Sequence, residues 1–332
     1  MTIFLLVISL AIILTGCEVF TNGIEWFGKK HGLGEGAVGS VLAAVGTALP
    51  ETLIPLMALV FASSESSKAI GTGAILGAPF MLSTLAMFVT GAALVIFSKI
   101  NGRDINPRIN HRIIGRDLGF FLIFYLAAVV AGVIHIRPLH YVLVGFLLIG
   151  YGIYVFITLR TEGDLDGHTR PLYLARSHPP NFPRLRWILL QIALSLAAIV
   201  VGAHFFITAV DSISSYLGLP ALVISMLITP VATELPEKFN SVLWIRSRKD
   251  TLALGNITGA LVFQSTFPVS VGLLLTDWQL DTISLLSAGF ALGSGSLLYL
   301  WMKLKHTLAW WMLLLGGVWY TAFVTYALWV SI

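Results

Sequence analysis

Runs of about twenty apolar residues recur from one end of this sequence to the other, the length a helix needs to cross a hydrocarbon core. "LLVISLAIILTG", "FFLIFYLAAVVAGVI" and "VLVGFLLIGYGIYVFI" are the centres of three of them. Between the runs the charges are sparse. Only 11% of the 332 residues are charged, against about 25% in a soluble domain, too few to cover a globule in water. The expected fold is an all-α polytopic membrane protein with ten transmembrane helices. Five spans are expected near 3–27, 36–62, 69–98, 117–136 and 138–159, and five more near 187–213, 220–245, 251–275, 280–302 and 307–331. The stretch "RTEGDLDGHTRPLYLARSHPPNFPRLR" divides them. Its prolines, glycines and mixed charges read as a solvated connector over 160–186, leaving five-helix units at 1–159 and 187–332.

Lysine and arginine orient these spans. Alternate loops hold 17 of the 20 basic residues, with clusters at Lys29 and Lys30, from Lys99 to Arg116, from Arg160 to Arg186, from Arg246 to Lys249, and at Lys303 and Lys305. The opposite loops hold Lys68 and Arg137, and Lys238 falls inside a span. Positive loops stay in the cytoplasm, so both termini are expected outside it. The same scatter argues against nucleic acid as a partner of this +4 chain, since no single basic patch forms. The bilayer is the partner that composition implies, and protein partners are not indicated. One cysteine excludes a disulfide framework within the chain. That residue, Cys17 in "ILTGCEV", has the look of a lipoprotein cleavage site, but "MTIFLL" ahead of it lacks a signal peptide's positive start.

The two halves repeat each other. At an offset of 186, Gly16 meets Gly202, Phe20 meets Phe206, Gly32-Leu33 meets Gly218-Leu219, and Leu49-Pro50-Glu51 meets Leu235-Pro236-Glu237. At an offset of 182, Gly73 meets Gly255, Gly77-Ala78 meets Gly259-Ala260, and Ser83-Thr84 meets Ser265-Thr266. Five spans per half is an odd number, so the second half enters the membrane from the opposite side. Inverted repeats of this kind build transporters, with the site near the midplane. A duplicated structural bundle is the plainer alternative.

Acidic residues weigh against that alternative. "GTALPE" (46–51) and "ATELPE" (232–237) each fall in the middle of an expected span. A carboxylate there costs at least about 2.5–3.5 kcal/mol and needs a polar cavity or a partner. The proline before each glutamate gives no backbone N–H and disfavours helix at its predecessor, which frees carbonyls near Thr47 and Thr233. Hydroxyl, carbonyl and carboxylate oxygens together are what a hard cation accepts in place of water. A proline kink with a protonated glutamate is the competing reading, and its occurrence twice at matched positions weakens it. The third spans carry "GTGAILGAPFML" (71–82) and "ALGNITGALVFQ" (253–264), whose small residues suit close helix packing. Packing does not explain Asn256 or Gln264, for which an interhelical hydrogen bond and a place at an ion site remain equal alternatives.

At these motifs the sequence resembles the cation/Ca²⁺ antiporter superfamily, the sodium/calcium exchangers and their prokaryotic relatives. Its members carry two inverted repeats with G-T-S-L-P-E, each followed by a helix bearing A-L-G-N-x-x-G-S-N-x-F-N or a variant. The resemblance spans all ten expected helices and implies the sodium/calcium exchanger fold, with Na⁺ and Ca²⁺ bound in turn at one central site. It implies acidic ligands at Glu51 and Glu237, hydroxyl or backbone ligands at Thr47 and Thr233, and backbone oxygens near Ala44 and Pro230. The sequence departs from the pattern at Ala48 and Glu234, at Ala78 and Ala260, and at Leu82 and Gln264. Glu234 is either a third acidic ligand or the ion-pair partner of Lys238, four residues on.

The expected activity is secondary antiport of Ca²⁺ or a similar divalent cation against Na⁺ or H⁺ in a bacterial or archaeal plasma membrane. The cations are cargo, and no resident cofactor is expected. Alternatives are an antiporter of a different cation, or a channel-like or transport-inactive relative. An enzyme is disfavoured, because neither acidic motif has a histidine or cysteine beside it and no nucleotide-binding motif is present.

Overall fold

The computed structural model describes residues 2–30, 49–61, 64–134, 136–161, 171–175 and 183–331, without the side chains of 25, 28, 29, 49, 50, 101, 159–161 and 235–240. Every regular element among them is helical. The first half gives α1 (Thr2–Lys30), α2 (Leu49–Val60), α3 (Glu65–Met81), a π-helical turn (Leu82–Ala86), α4 (Met87–Asn101), α5 (His111–Ile134) and α6 (Arg137–Thr161). The second gives α7 (Leu185–Leu217), α8 (Ala221–Arg246), α9 (Asp250–Gln264), α10 (Phe267–Leu275), α11 (Thr282–Lys305) and α12 (Trp310–Ser331). Among the described residues, eight helical stretches are long and apolar enough to cross a membrane. Among the described residues, two shorter apolar stretches, Glu51–Val60 of α2 and Ala221–Glu234 of α8, fall in the second and seventh of the ten expected spans.

The bundle is apolar outside and buries polar groups among its apolar core residues. Val142, Ile149 and Val318, well inside their helices, are 69%, 68% and 64% exposed, while Ser83, Thr84, Ser225, Thr258 and Ser265 are fully buried. Water would reverse that order, and lipid permits it. The chain is a multi-pass integral membrane protein.

The inverted symmetry is legible contact by contact. A β-carbon on Gly16 would lie 2.8 Å from Ile199 Cγ1 and 3.4 Å from the Ser195 carbonyl oxygen. One on Gly202 would lie 2.9 Å from Ile13 Cγ1 and 3.2 Å from the Ser9 carbonyl oxygen. Ser9, Ile13 and Gly16 are the repeat mates of Ser195, Ile199 and Gly202, so α1 and α7 meet through one self-complementary patch, as at a two-fold axis. Glycine is required here because the helices touch backbone to side chain.

The third span of each half is broken at the matched Ser-Thr pair. After Pro79, Ser83 donates to the Pro79 carbonyl at 2.8 Å and Thr84 to that of Phe80 at 2.5 Å, beside the π turn. In the second half, α9 stops at Gln264, Ser265 and Thr266 both donate to the Val262 carbonyl, and Pro268 restarts the helix as α10. Hydroxyls returned to the preceding turn bend a helix, and π turns gather at functional sites. The single spans expected over 69–98 and 251–275 are thus each distorted at the same internal position.

Part of the connector is tied to both α1 and α7. Leu172 is buried against Trp26 and Ile188. Gln191 donates to the Val19 carbonyl and to Asn22, and accepts from the backbone of Leu174. Tyr173 donates to Glu18 at 2.8 Å.

Candidate cation site

Glu51 sits in the first turn of α2 and is 8% exposed. Pro55, inside the same helix, has no N–H to give to the Glu51 carbonyl. Carbonyl and carboxylate oxygens of one residue are therefore both outside the helix ladder. Gln264, the last residue of α9, reaches across from the other repeat and donates Nε2 to Glu51 Oε2 at 3.1 Å. Its own Oε1 is buried with no hydrogen-bond partner among the described residues. A buried acceptor left in that state costs about 1–3 kcal/mol unless something positive meets it. Of the two roles open to Gln264, the interhelical bond is formed.

Helix α8 carries the other acidic motif and stays helical through Pro230 and Pro236. Each proline leaves the carbonyl four residues earlier, Met226 or Ala232, without its helical donor. Thr233 is buried and donates to the Thr229 carbonyl at 3.0 Å, which leaves its oxygen lone pairs available to a cation. Glu234 is fully buried. The backbone of Glu237 and Lys238 is helical, but both side chains lie outside the described residues, as does all of Thr47. The Glu51–Glu237 approach and the Glu234–Lys238 pair are therefore outside the described residues too. Among the described residues, no three His, Cys, Asp or Glu side chains converge on a common point.

Close approach of the helices places these groups. A β-carbon on Gly73 would lie 2.4 Å from the Leu222 carbonyl oxygen, and one on Gly77 would lie 2.2 Å from that of Met226. Ser225 locks the contact by donating to the Ile70 carbonyl at 2.6 Å. Because 73 meets 222 and 77 meets 226, α3 and α8 run parallel, as the third and seventh of ten alternating spans must. Of the two alternatives for Asn256, the interhelical hydrogen bond is formed, with Nδ2 on Ser241 Oγ at 3.5 Å. The departures at Ala78, Leu82 and Ala260 put methyl and isobutyl groups where the family pattern has polar ones.

Other polar and aromatic side chains in or near the spans have local surroundings of their own. Glu18 accepts from Tyr173, and Asp211 accepts from Ser66. The His204 ring meets that of Phe205 edge-on at 5.8 Å. Trp311 packs edge-on against Trp301, and Trp329 is largely exposed.

Sequence reasoning missed two buried polar clusters. Arg103 Nη2 meets Asp250 Oδ2 at 2.5 Å, with Arg103 also on the Ile245 carbonyl and Asp250 also accepting from the Arg108 backbone at 2.8 Å. Asp117, buried in α5, accepts from Thr258 at 2.9 Å and pairs with Arg116 at 3.0 Å. The signal for both was an acidic residue at the start of a span, next to basic residues. Nothing in the spacing tied either to its partner some 140 residues away.

Known proteins share this arrangement of helices. The H⁺/Ca²⁺ exchanger CAX superposes with a TM-score of 0.73 at 14% identity, covering 98% of this chain and 82% of that one. The sodium-calcium exchanger NCX_Mj gives 0.56 at 18% identity, covering 98% of each chain. The sodium/calcium exchanger MaX1 of Methanosarcina acetivorans is 23% identical over 278 residues, 77% of this chain and 78% of that protein. The family model described as sodium/calcium exchanger protein matches residues 1–160 and 187–329. With both repeats matched and the inverted architecture in place, the chain belongs to the sodium/calcium exchanger protein family.

Proposed function

We propose that this protein is a secondary active antiporter that exchanges Ca²⁺, or a divalent cation like it, for H⁺ or Na⁺. The observation that carries the reading is the Glu51–Gln264 contact, which joins the acidic motif of one repeat to the partner helix of the other and leaves a buried amide oxygen beside a carboxylate. Glu51 and Glu237 would carry the exchangeable charge. Two carboxylates balance one divalent ion or two monovalent ones, so alternating occupancy is antiport. Oxygens from Thr47, Thr233, Gln264 and Glu234 would complete the shell that Ca²⁺ requires, six to eight oxygens.

Protons are favoured over Na⁺ as the counter-ion. Ala78, Leu82 and Ala260 offer no side-chain oxygen, so fewer ligands remain for a metal ion in the exchanging state, whereas a proton needs only a carboxylate. The repeat mate of the Glu51–Gln264 pair is Glu237 with Leu82, and leucine gives no amide; the site is asymmetric in its chemistry. The α1–α7 pair, joined by its glycine patch and by the connector, would slide against the remaining helices to expose the site alternately. By the basic-loop bias, both termini face away from the cytoplasm of a prokaryotic plasma membrane.

Uptake of ⁴⁵Ca²⁺ into proteoliposomes under an imposed pH or Na⁺ gradient tests this reading. Uphill accumulation driven by the pH gradient supports it, and accumulation only down the Ca²⁺ gradient would point to a channel.

A further inference from the structure

The described residues contain a second site-like feature, away from the acidic motifs. A groove of about 520 Å³ runs between α5 and α11, within the volume range of small-molecule sites. His111, Arg112, Lys303 and His306 ring one end of it. Neither Arg112 nor Lys303 has a carboxylate within ion-pair distance among the described residues, whereas Arg116, one turn deeper, is held by Asp117 at 3.0 Å. The rim thus carries positive charge that nothing in the described structure balances. The Lys303 ammonium lies 5.6 Å from the centroid of the Tyr299 ring, and the His111 and His306 rings meet edge-on at 5.6 Å, so the rim is ordered by side chains of both helices.

The other end is apolar. From His111 the groove follows α5 to Ile123, twelve residues and therefore about 18 Å along the helix. Gly119 leaves the groove wall without a side chain; a β-carbon there would already stand in ordinary contact with the Tyr299 ring at 3.6 Å, so anything larger would fill the groove. Ile123 is 58% exposed on the lipid-facing surface. A basic mouth at the end of two spans and an apolar channel leading toward the bilayer interior match a molecule with an anionic head and a hydrocarbon tail. An inorganic anion would use the mouth alone and leave the channel unexplained.

We propose that the α5–α11 groove binds an anionic phospholipid, its phosphate held by Arg112 and Lys303 and one acyl chain laid along Gly119, Tyr299 and Ile123. Lysine and arginine clusters at the cytoplasmic ends of spans attract anionic headgroups, and the basic-loop bias puts this end there. The lipid would bridge the first and second repeats at their α5 and α11 faces, so its occupancy would stabilise the assembled bundle.

The test uses the full-length protein in mild detergent, with phosphatidylglycerol, phosphatidylcholine or inorganic phosphate added, read by native mass spectrometry and by thermal unfolding. The expected result is selective retention of phosphatidylglycerol with a raised unfolding temperature. Loss of two charges in R112Q/K303Q should weaken that retention about thirty-fold. G119L, which fills the channel and keeps both charges, should also abolish it. Equal retention of phosphatidylcholine would overturn the proposal. So would a phosphatidylglycerol affinity unchanged in both variants, or saturation by inorganic phosphate at the concentration at which phosphatidylglycerol binds, which would make this a soluble-anion site. Should the double variant fail to fold, K303Q alone and G119L give the same discrimination, with an expected loss of about five-fold for the single charge.

Discussion

Replacing Gly77 with alanine inserts one methyl group at a point where the two repeats touch backbone to backbone. The new β-carbon would lie 2.2 Å from the Met226 carbonyl oxygen and 2.9 Å from that residue's carbonyl carbon and Cα. Carbon–oxygen contacts between packed helices settle at about 3.3 Å, so α3 and α8 must part by about 1 Å. The obstruction is backbone, and no side-chain rotation relieves it. Overpacking of this type costs about 1–3 kcal/mol, a shift of roughly five- to 150-fold in the folded ratio. The same separation strains the Ser225–Ile70 hydrogen bond and moves the Thr229–Thr233–Glu234 segment away from α3. Gly152→Ala is the control, since a β-carbon there meets nothing within 4 Å among the described residues and alanine is the better helix former. Denaturant unfolding in detergent and ⁴⁵Ca²⁺ uptake should both fall for Gly77→Ala and hold for Gly152→Ala. Equal stability and equal uptake in the two variants would refute the argument that backbone contact at Gly77 sets the position of α8.

Three further outcomes follow from the same structure. Gln264→Leu removes a hydrogen bond to the buried Glu51 carboxylate, a class worth about 1.5–3 kcal/mol of stability, and with it the spare amide oxygen, so it should lower the unfolding temperature and also weaken Ca²⁺ binding by isothermal titration. Arg103→Met strands the buried Asp250 and should destabilise by about 3–5 kcal/mol, while Arg103→Met with Asp250→Leu should recover most of that loss in thermal unfolding. Leu172→Ala opens the contact with Trp26 and Ile188, at a cost of at least about 2 kcal/mol, and limited proteolysis should then cut the connector roughly thirty-fold faster.

Much of the architecture was legible because the signals behind it are local or repeated. Span positions come from apolar length, and the inversion comes from an odd count together with two offsets that the Gly16–Ile199 and Gly202–Ile13 contacts realise in space. Helix ends were less legible. Basic residues from His111 to Arg116 read as loop, yet α5 begins at His111, since a helix continues past the hydrocarbon into the headgroup region. The π turn at Leu82–Ala86 and the stop after Gln264 depend on where serine and threonine hydroxyls find carbonyls, which spacing alone does not state. At the site, Glu51 and Gln264 were each visible as polar groups too costly to leave in lipid. Their pairing was hidden by the asymmetry of the repeats, because the mate of Gln264 is Leu82 and symmetry offered no duplicate to check it against. The Arg103–Asp250 pair was hidden for a simpler reason. Each residue sits in a basic loop region, where charges are ordinarily solvated, and only the fold brings them together out of water.

The central claim is that one exchangeable site is built from both repeats, with Glu51 and Glu237 as its charge. ⁴⁵Ca²⁺ uptake driven by a pH gradient in proteoliposomes, compared among the unaltered protein, Glu51→Gln and Glu237→Gln, tests it most directly. The account expects gradient-driven uptake in the first and its loss in each single variant, with protein folded and inserted in all three. Full uptake after neutralising either glutamate would contradict it.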